Sequence, residues 1–272
     1  MRSEGQDDHN NWLLQVGSGN LPTEPGVFED SAIQIPQEMV AKEDLIETIF
    51  SNHIQQMSVD DLSKRVIVAP TNARTLEMNR KIIGILAGEP TIYYSADSAV
   101  SEDPNDAINY PVEFLNDQTP SGMPPHALIL KKGAIIMLLR NLNPKKGLCN
   151  GTRMIIEGLA RNFLTAKIIS ECNRGDIVFI PRIDLAPSDT TLPFVLRRRQ
   201  FPIIPAYAIT INKSQGQTFD HVGIDLQTPV FSHEQLYVAL PRSRNHNQVK
   251  VRIKDNTNYA RNIVFTEVFQ LP

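Results

Sequence analysis

Val66-Ile67-Val68-Ala69-Pro70-Thr71-Asn72 decides the fold. Four apolar residues stopped by a proline suit a short buried strand, because proline has no N–H to donate and turns the chain. Thr71 and Asn72 then stand where a helix begins, and their side-chain oxygens can accept from the open amides of its first turn. That helix carries Leu76, Ile83 and Leu86 on its inner side. A strand that feeds a capped helix through two or three polar residues is the repeating unit of a parallel α/β sheet. The unit returns late in the chain. Val222-Gly-Ile-Asp-Leu226 reads as a buried strand, Ser232 as the cap of a helix with Leu236, Ala239 and Leu240 inward, and Val249 to Ile253 as a further strand.

Upstream, Leu45, Ile46, Ile49 and Phe50 fall on one helix face that ends before Ser51-Asn52. Residues 1–36, rich in Gly, Pro, Asn and Asp, predict irregular structure around one packed helical turn at Trp12-Leu13-Leu14. The middle changes character. Short β-prone runs at Ala134–Leu139, Thr152–Ile156, Ala166–Ile169 and Ile177–Ile180 are separated by turn signals. Asn150-Gly151 is the strongest of these, since Asn-Gly supplies the positive φ angles of a tight hairpin. These runs predict a small all-β module, a barrel, inserted into an α/β domain. Many of the 19 prolines fall between residues 104 and 205, as the long connections require.

Composition narrows the function classes. With 272 residues and 41% hydrophobic content, the chain can bury a core. It has no long apolar run and no apolar signal core in MRSEGQDDHNNW, so membrane insertion and secretion are not expected. Cys149 and Cys172 lack metal-ligand spacing, which fits a reduced compartment. A net charge of -3 gives no global nucleic-acid footprint, so any DNA contact rests on local patches such as Lys131-Lys132, Lys145-Lys146 and Arg197-Arg198-Arg199. Each patch is equally read as ordinary solvated charge.

Chemistry concentrates in Ala206-Tyr-Ala-Ile-Thr-Ile-Asn-Lys-Ser-Gln-Gly-Gln-Thr218. Thr210, Asn212, Lys213, Ser214, Gln215, Gln217 and Thr218 surround a single Gly216 immediately before a hydrophobic strand. Polar side chains this dense beside a core strand do not help folding. Phosphate ligation explains them better, the glycine allowing close backbone approach, and a polar surface turn is the other reading. A second element, Glu234-Gln-Leu-Tyr-Val-Ala-Leu-Pro-Arg-Ser-Arg244, predicts an amphipathic helix ending in Arg242 and Arg244, which also serve as simple dipole partners of its C-terminus.

In this order, after Val68-Ala-Pro-Thr-Asn72, these segments resemble the petite-integration-frequency (Pif) family of superfamily-1 DNA helicases, particularly Helitron transposon-type members. Further matching pieces are Trp12 to Gly19, Tyr93 to Asp97, Glu113 to Asn116, Thr119 to His126, Gly133 to Asn141, Gly147 to Thr152 and Arg199 to Pro202. The resemblance implies the second RecA-like domain of a P-loop helicase: residues 1–123, an inserted small β-barrel of the 2B type at 124–199, and the remainder at 200–272. It implies single-stranded DNA as partner, contacted by Thr71, Asn72, Thr210, Asn212, Lys213, Ser214 and Gln215, with Gly216 and Gln217 coupling DNA to nucleotide. Arg242 is then the arginine finger on the γ-phosphate, where a planar guanidinium neutralises charge spreading onto the phosphate oxygens. ATP and Mg2+ belong to the intact helicase, which acts in the nucleus or in mitochondria.

Departures from the family are equally informative. No G-x-x-x-x-G-K-[ST] loop occurs, nor an acidic pair after a strand to hold Mg2+. The chain alone is therefore expected to bind no ATP or Mg2+ and to be inactive without a P-loop RecA-like domain. Met1-Arg2 falls where an upstream family motif ends in an arginine, so Arg2 is a further catalytic candidate and the chain begins inside or just after that motif. Pro241 stands where the family has a small polar residue and predicts a helix that ends or bends early. The alternative function is a non-catalytic single-stranded DNA binding module or a degenerate transposon fragment. An independent hydrolase built on Asp225, His221 or His233 lacks a nucleophile at a strand-to-helix turn.

Overall fold

The computed structural model describes residues 7–51, 54–100, 110–170, 173–187, 192–254, 257–265 and 267. Arg2 and Cys172 lie outside them. The chain divides into two compact units, one formed by Met1–Ile82 with Tyr207–Pro272 and one by Ile83–Ala206.

The first unit is built on a four-stranded sheet in the order Ala208–Thr210, Arg65–Ala69, His221–Leu226, Val249–Ile253, parallel throughout. Val66 to Ala69 are fully buried, as expected for strands covered on both faces. The helix Leu45–Phe50 lies against this sheet. Asp44 caps it by accepting from the Ile46 amide at 2.8 Å, and Leu45, Ile46, Ile49 and Phe50 are all buried. A Cβ built on Gly223 would sit 2.9 Å from the Leu45 side chain and 2.8 Å from that of Ile49, so the glycine sets how closely helix and strand approach.

The helix after Pro70 runs Asn72–Ile85 with Thr71 at its cap, where Thr71 Oγ1 accepts from the Arg74 amide at 3.4 Å. Its inner face differs from the expected one. Thr75, Met78, Asn79, Ile82 and Ile83 are buried, whereas Leu76 and Leu86 are only partly covered. The spacing is helical, but two of the five inward residues are polar. Asn79 explains why: Nδ2 donates to the Ala208 carbonyl at 2.7 Å, and Oδ1 accepts from the amides of Tyr207 and Ala208 at 3.1 and 2.9 Å. A buried amide is stable when its donors and acceptors are met, and here it ties the helix to an edge strand.

Residues 7–18 form a twelve-residue helix rather than one turn, with Leu13, Val16 and Gly17 inward. Gly17 lies under the Tyr237 ring, 3.0 Å from where a Cβ would be. Late in the chain the helix is Gln235–Ala239 only, with Leu236, Ala239 and Leu240 buried as expected. Ser232 is not its cap. Glu234 occupies that position with φ 55° and makes no side-chain cap bond.

The second unit is antiparallel. Its five-stranded sheet runs Ile177–Pro181, Phe163–Ile168, Arg153–Leu159, Ile135–Leu138, Ile203–Pro205. A three-stranded sheet joins Ile183–Leu185, Val195–Gln200 and Ala96–Val100, and a ladder pairs Thr91–Tyr94 with Ala127–Leu130. The expected β module is therefore present as sheets. Among the described residues no ladder joins the two outer strands of the five-stranded sheet, so closure into a barrel stays an expectation. Its limits also differ from 124–199, because Ala96–Val100 pairs with Val195–Gln200 and draws residues 83–123 into this unit. Asn150-Gly151 is not a two-residue hairpin tip. Gly151 alone of the pair has positive φ, +91°, and its amide bonds Leu138 inside a long connection.

The arginine patch is resolved by strand alternation. Arg197 and Arg199 point outward to Asp184, while Arg198 is fully buried. Arg198 Nε donates to both Asp97 carboxylate oxygens at 3.0 Å, and its Nη1 and Nη2 donate to the carbonyls of Pro124 and Leu115. Lys131 is likewise buried, its Nζ donating to the Leu86 carbonyl at 2.6 Å. These two cations are occupied inside the fold, which leaves Lys132, Lys145, Lys146, Arg197 and Arg199 at the surface.

Candidate nucleic-acid and nucleotide site

Strands Ala208–Thr210 and Arg65–Ala69 are parallel neighbours in register, Thr210 opposite Ala69. Their carboxyl ends therefore open side by side, one into Pro70-Thr71-Asn72 and the other into the 3-10 turn Asn212–Ser214. Numbered along the chain, the sheet order is 2-1-3-4, so from the carboxyl edge the first strand connects to one side and the third to the other, and the switch point lies between Arg65–Ala69 and His221–Leu226. Open α/β sheets bind ligands in the crevice this creates. The sequence-based candidates Thr71, Asn72, Thr210, Asn212, Lys213, Ser214, Gln215, Gly216 and Gln217 all lie on this edge.

They are not equivalent. Asn212, Gln215 and Gly216 are exposed, and Thr71, Asn72, Thr210, Lys213 and Gln217 are partly so. Ser214 is fully buried, its hydroxyl donating to the Ile211 carbonyl at 2.6 Å. The turn is closed further by Gln217 N donating to the Ser214 carbonyl at 3.0 Å and Gln217 Nε2 to the Lys213 carbonyl at 3.1 Å. Gly216 has φ +78°, and a Cβ there would meet nothing within 4 Å. The glycine is needed for its left-handed backbone, with open space beside it.

Arg242 comes to the same turn from the other motif. Its Nη1 faces the carbonyls of Ser214 and Gln217 at 3.3 and 3.5 Å, and its own carbonyl accepts from the Phe219 amide at 2.9 Å. The α-helix has already ended at Ala239. Leu240–Arg242 is a 3-10 turn in which Pro241 has φ -86° and ψ 28°. Arg242 is thus aimed by the Phe219 contact rather than by a continuous helix. Arg244 is exposed.

Sequence reasoning missed a polar cluster on the same edge. Asp225 is fully buried near the end of its strand and accepts from Arg74 Nε at 3.0 Å and Nη2 at 2.9 Å. Arg74 also donates to Glu77 at 2.7 Å and to Gln227 Oε1 at 2.7 Å. The guanidinium is held above its ordinary pKa: burial opposes the charge, but the hydrogen bonds to Asp225 and Glu77 outweigh it. The only sequence signal was a lone charge inside the apolar run Val222–Leu226, and its partner is 151 positions away. Asp225 is thereby committed to Arg74. His221 lies at the opposite end of the same strand, and His233 stacks on Phe265, so the three hydrolase candidates do not converge. Among the described residues no group of three or more His, Cys, Asp or Glu side chains is placed to hold a metal, and no helix is long and apolar enough to cross a membrane.

Two family profiles match the chain. One, described as DNA helicase Pif1, 2B domain, covers residues 113–159, and the other, UvrD-like helicase C-terminal domain, covers 205–247. The human ATP-dependent DNA helicase PIF1 is 36% identical over 125 residues, 46% of this chain and 19% of that protein. A crystal structure of Pif1 helicase from Candida albicans matches with TM-score 0.65 and 18% identity, covering 99% of this chain and 58% of that one. The crystal structure of Bacteroides Pif1 bound to ssDNA matches with TM-score 0.54 and 23% identity over 84% of this chain and 52% of that one. The chain thus resembles Pif1-type helicases in sequence and shares their mixed α/β fold. It spans about a fifth of the human protein's length and about half of the solved chains.

Proposed function

We propose that the chain is the second RecA-like half of an ATP-dependent helicase that moves along single-stranded DNA, with the Ile83–Ala206 unit as an inserted small β-barrel. One observation carries the reading: the turns Pro70–Asn72 and Asn212–Gln217 open side by side on one sheet edge, and Arg242 rests on the second of them. Thr71, Asn72, Asn212, Lys213 and Gln215 contact DNA phosphates from that edge, and Thr210 flanks them. Ser214 acts one step back, holding the turn. Because the Arg242 guanidinium sits on the carbonyls of Ser214 and Gln217, a shift of the DNA-bound turn moves the group that faces the nucleotide. The triphosphate cradle and Mg2+ belong to a P-loop domain that this sequence does not contain. Bound there, ATP–Mg2+ supplies the phosphoryl chemistry, and this chain contributes a cation to it.

The test is ATPase and single-strand binding on the chain alone and on the chain joined to a P-loop RecA-like domain from a related helicase. The chain alone is expected to bind DNA and to leave ATP intact, and the joined protein to hydrolyse ATP in a DNA- and Arg242-dependent way. DNA-stimulated hydrolysis by the chain alone, lost in Arg242→Ala, overturns the division of labour.

A further inference from the structure

We propose that Phe231, together with the stacked pair His233 and Phe265, is a platform for unpaired nucleobases, an inference that rests on the DNA-track reading above. Phe231 and Phe265 are 61% and 54% exposed, the two aromatic rings among the exposed large apolar side chains described in this unit, whose others are the aliphatic Leu14 and Val59. The His233 and Phe265 rings lie within 9° of parallel with centroids 5.2 Å apart, and His233 Nδ1 accepts from the Phe265 amide at 3.0 Å. The rings are held in place from both sides. The Phe231 amide donates to Gln235 Oε1 at 3.1 Å, and the Glu234 amide to the Ile263 carbonyl at 2.8 Å.

Holding them has a visible cost. Glu234 adopts φ 55°, a conformation L side chains rarely take, and the buried Gln235 Nε2 has no acceptor among the described residues. Strain and unmet polar groups that persist in a fold point to a geometry kept for use. The location supplies the ligand class. The loop leaves the carboxyl end of His221–Leu226, on the same sheet edge as Thr71–Asn72 and Asn212–Gln217, and its first residue, Gln227, is bonded to Arg74. A strand whose phosphates run along those turns needs somewhere to put its bases. Proteins that hold single strands without sequence preference combine a backbone track with aromatic faces on which bases stack. In a duplex those faces are already stacked within the helix, so the platform favours unpaired DNA.

The experiment measures binding of the full chain to an oligothymidylate and to an abasic strand of equal length, across salt concentrations. Wild type is expected to prefer the oligothymidylate. Phe231→Ala and Phe265→Ala are expected to weaken that binding by about 5- to 150-fold, leaving the abasic affinity and the salt slope unchanged. Phe231→Trp is expected to keep the affinity, with indole fluorescence quenched by the oligothymidylate and not by the abasic strand. Both alanine variants should unfold at the wild-type midpoint, since more than half of each ring is already in water. Equal affinity of wild type for both strands, or alanine variants that weaken both strands alike, overturns the platform. No binding to either strand, or a salt slope that Lys213→Ala leaves unchanged, overturns the DNA-track reading beneath it.

Discussion

Ser214 has no exposed surface and gives its hydroxyl to the Ile211 carbonyl at 2.6 Å, whereas Lys213, next to it in the same 3-10 turn, reaches solvent. Substitution at the two positions should therefore separate cleanly. Lys213→Ala is expected to weaken single-strand binding and flatten the slope of log affinity on log salt by about 0.7, the contribution of one phosphate contact. Ser214→Ala should leave that slope intact and lower stability by about 1 kcal/mol, the net worth of a hydrogen bond. Anisotropy titrations across salt and urea unfolding read the two effects, and a flattened slope in Ser214→Ala would return the hydroxyl to the DNA track. Arg74 and Asp225 form a harder-wired pair. Removing the cation leaves a fully buried carboxylate without its partner, a loss on the order of 3–5 kcal/mol. Arg74→Met is thus expected to destabilise the chain by that amount, and Arg74→Met with Asp225→Leu to recover most of it. If the double variant is as unstable as the sum of the singles, the two residues are not coupled.

At the scale of elements, what was legible followed from apolar runs. Val66–Ala69 and Val222–Leu226 were readable as strands because burial on both faces explains such runs between polar caps, and Val249–Ile253 because its apolar residues alternate with Lys250 and Arg252. The helix Asp7–Ser18 was legible only as a turn at Trp12-Leu13-Leu14, since only three of its twelve residues face inward and most of the rest are polar. The site was readable as a stretch of chain but not in its division of labour. Burial sends Ser214 inside and leaves Asn212 outside, which spacing alone does not decide. Asn79, Arg74 and Arg198 were missed for one reason: each is a polar residue whose partner lies far along the chain, 101 positions away for Arg198 and Asp97. Pro241 is where sequence reasoning left two outcomes. With the α-helix already over at Ala239, proline costs no helical hydrogen bond beyond that point, and Arg242 is fixed by Phe219. Pro241→Ser is expected to lower stability by about 0.4–1 kcal/mol, through a freer unfolded chain, and to leave DNA affinity unchanged. In a protein joined to a P-loop domain, a clear rise in DNA-stimulated ATPase on this substitution would show that proline does misplace Arg242.

For the whole molecule, the arrangement of Asn79 has a consequence for how the chain can be cut. The polypeptide leaves the first unit at Ile82 and re-enters at Tyr207, and the Asn79 side chain binds the amides of Tyr207 and Ala208 directly. Exit and entry are therefore neighbours: the helix continues from Asn79 to Ile85, about 9 Å of helical rise. The first unit buries its own sheet and the helices on it, with Tyr207 packed edge-on against Phe50 at 5.8 Å between centroids. A segment inserted between adjacent points of a self-contained core is removable, because the core's contacts do not depend on it. Joining Ile85 to Ala206 through a short Gly-Ser linker should give a shortened chain that unfolds in one cooperative transition. If the DNA track lies where the two strand ends open, it should keep single-strand binding with the same Lys213-dependent salt slope. A shortened chain that folds but no longer binds would place a necessary part of the DNA contact in Ile83–Ala206. One that fails to fold, while Asn79→Ala in the full chain leaves stability unchanged, would show that the Asn79 bonds do not hold the exit helix and the entry strand together.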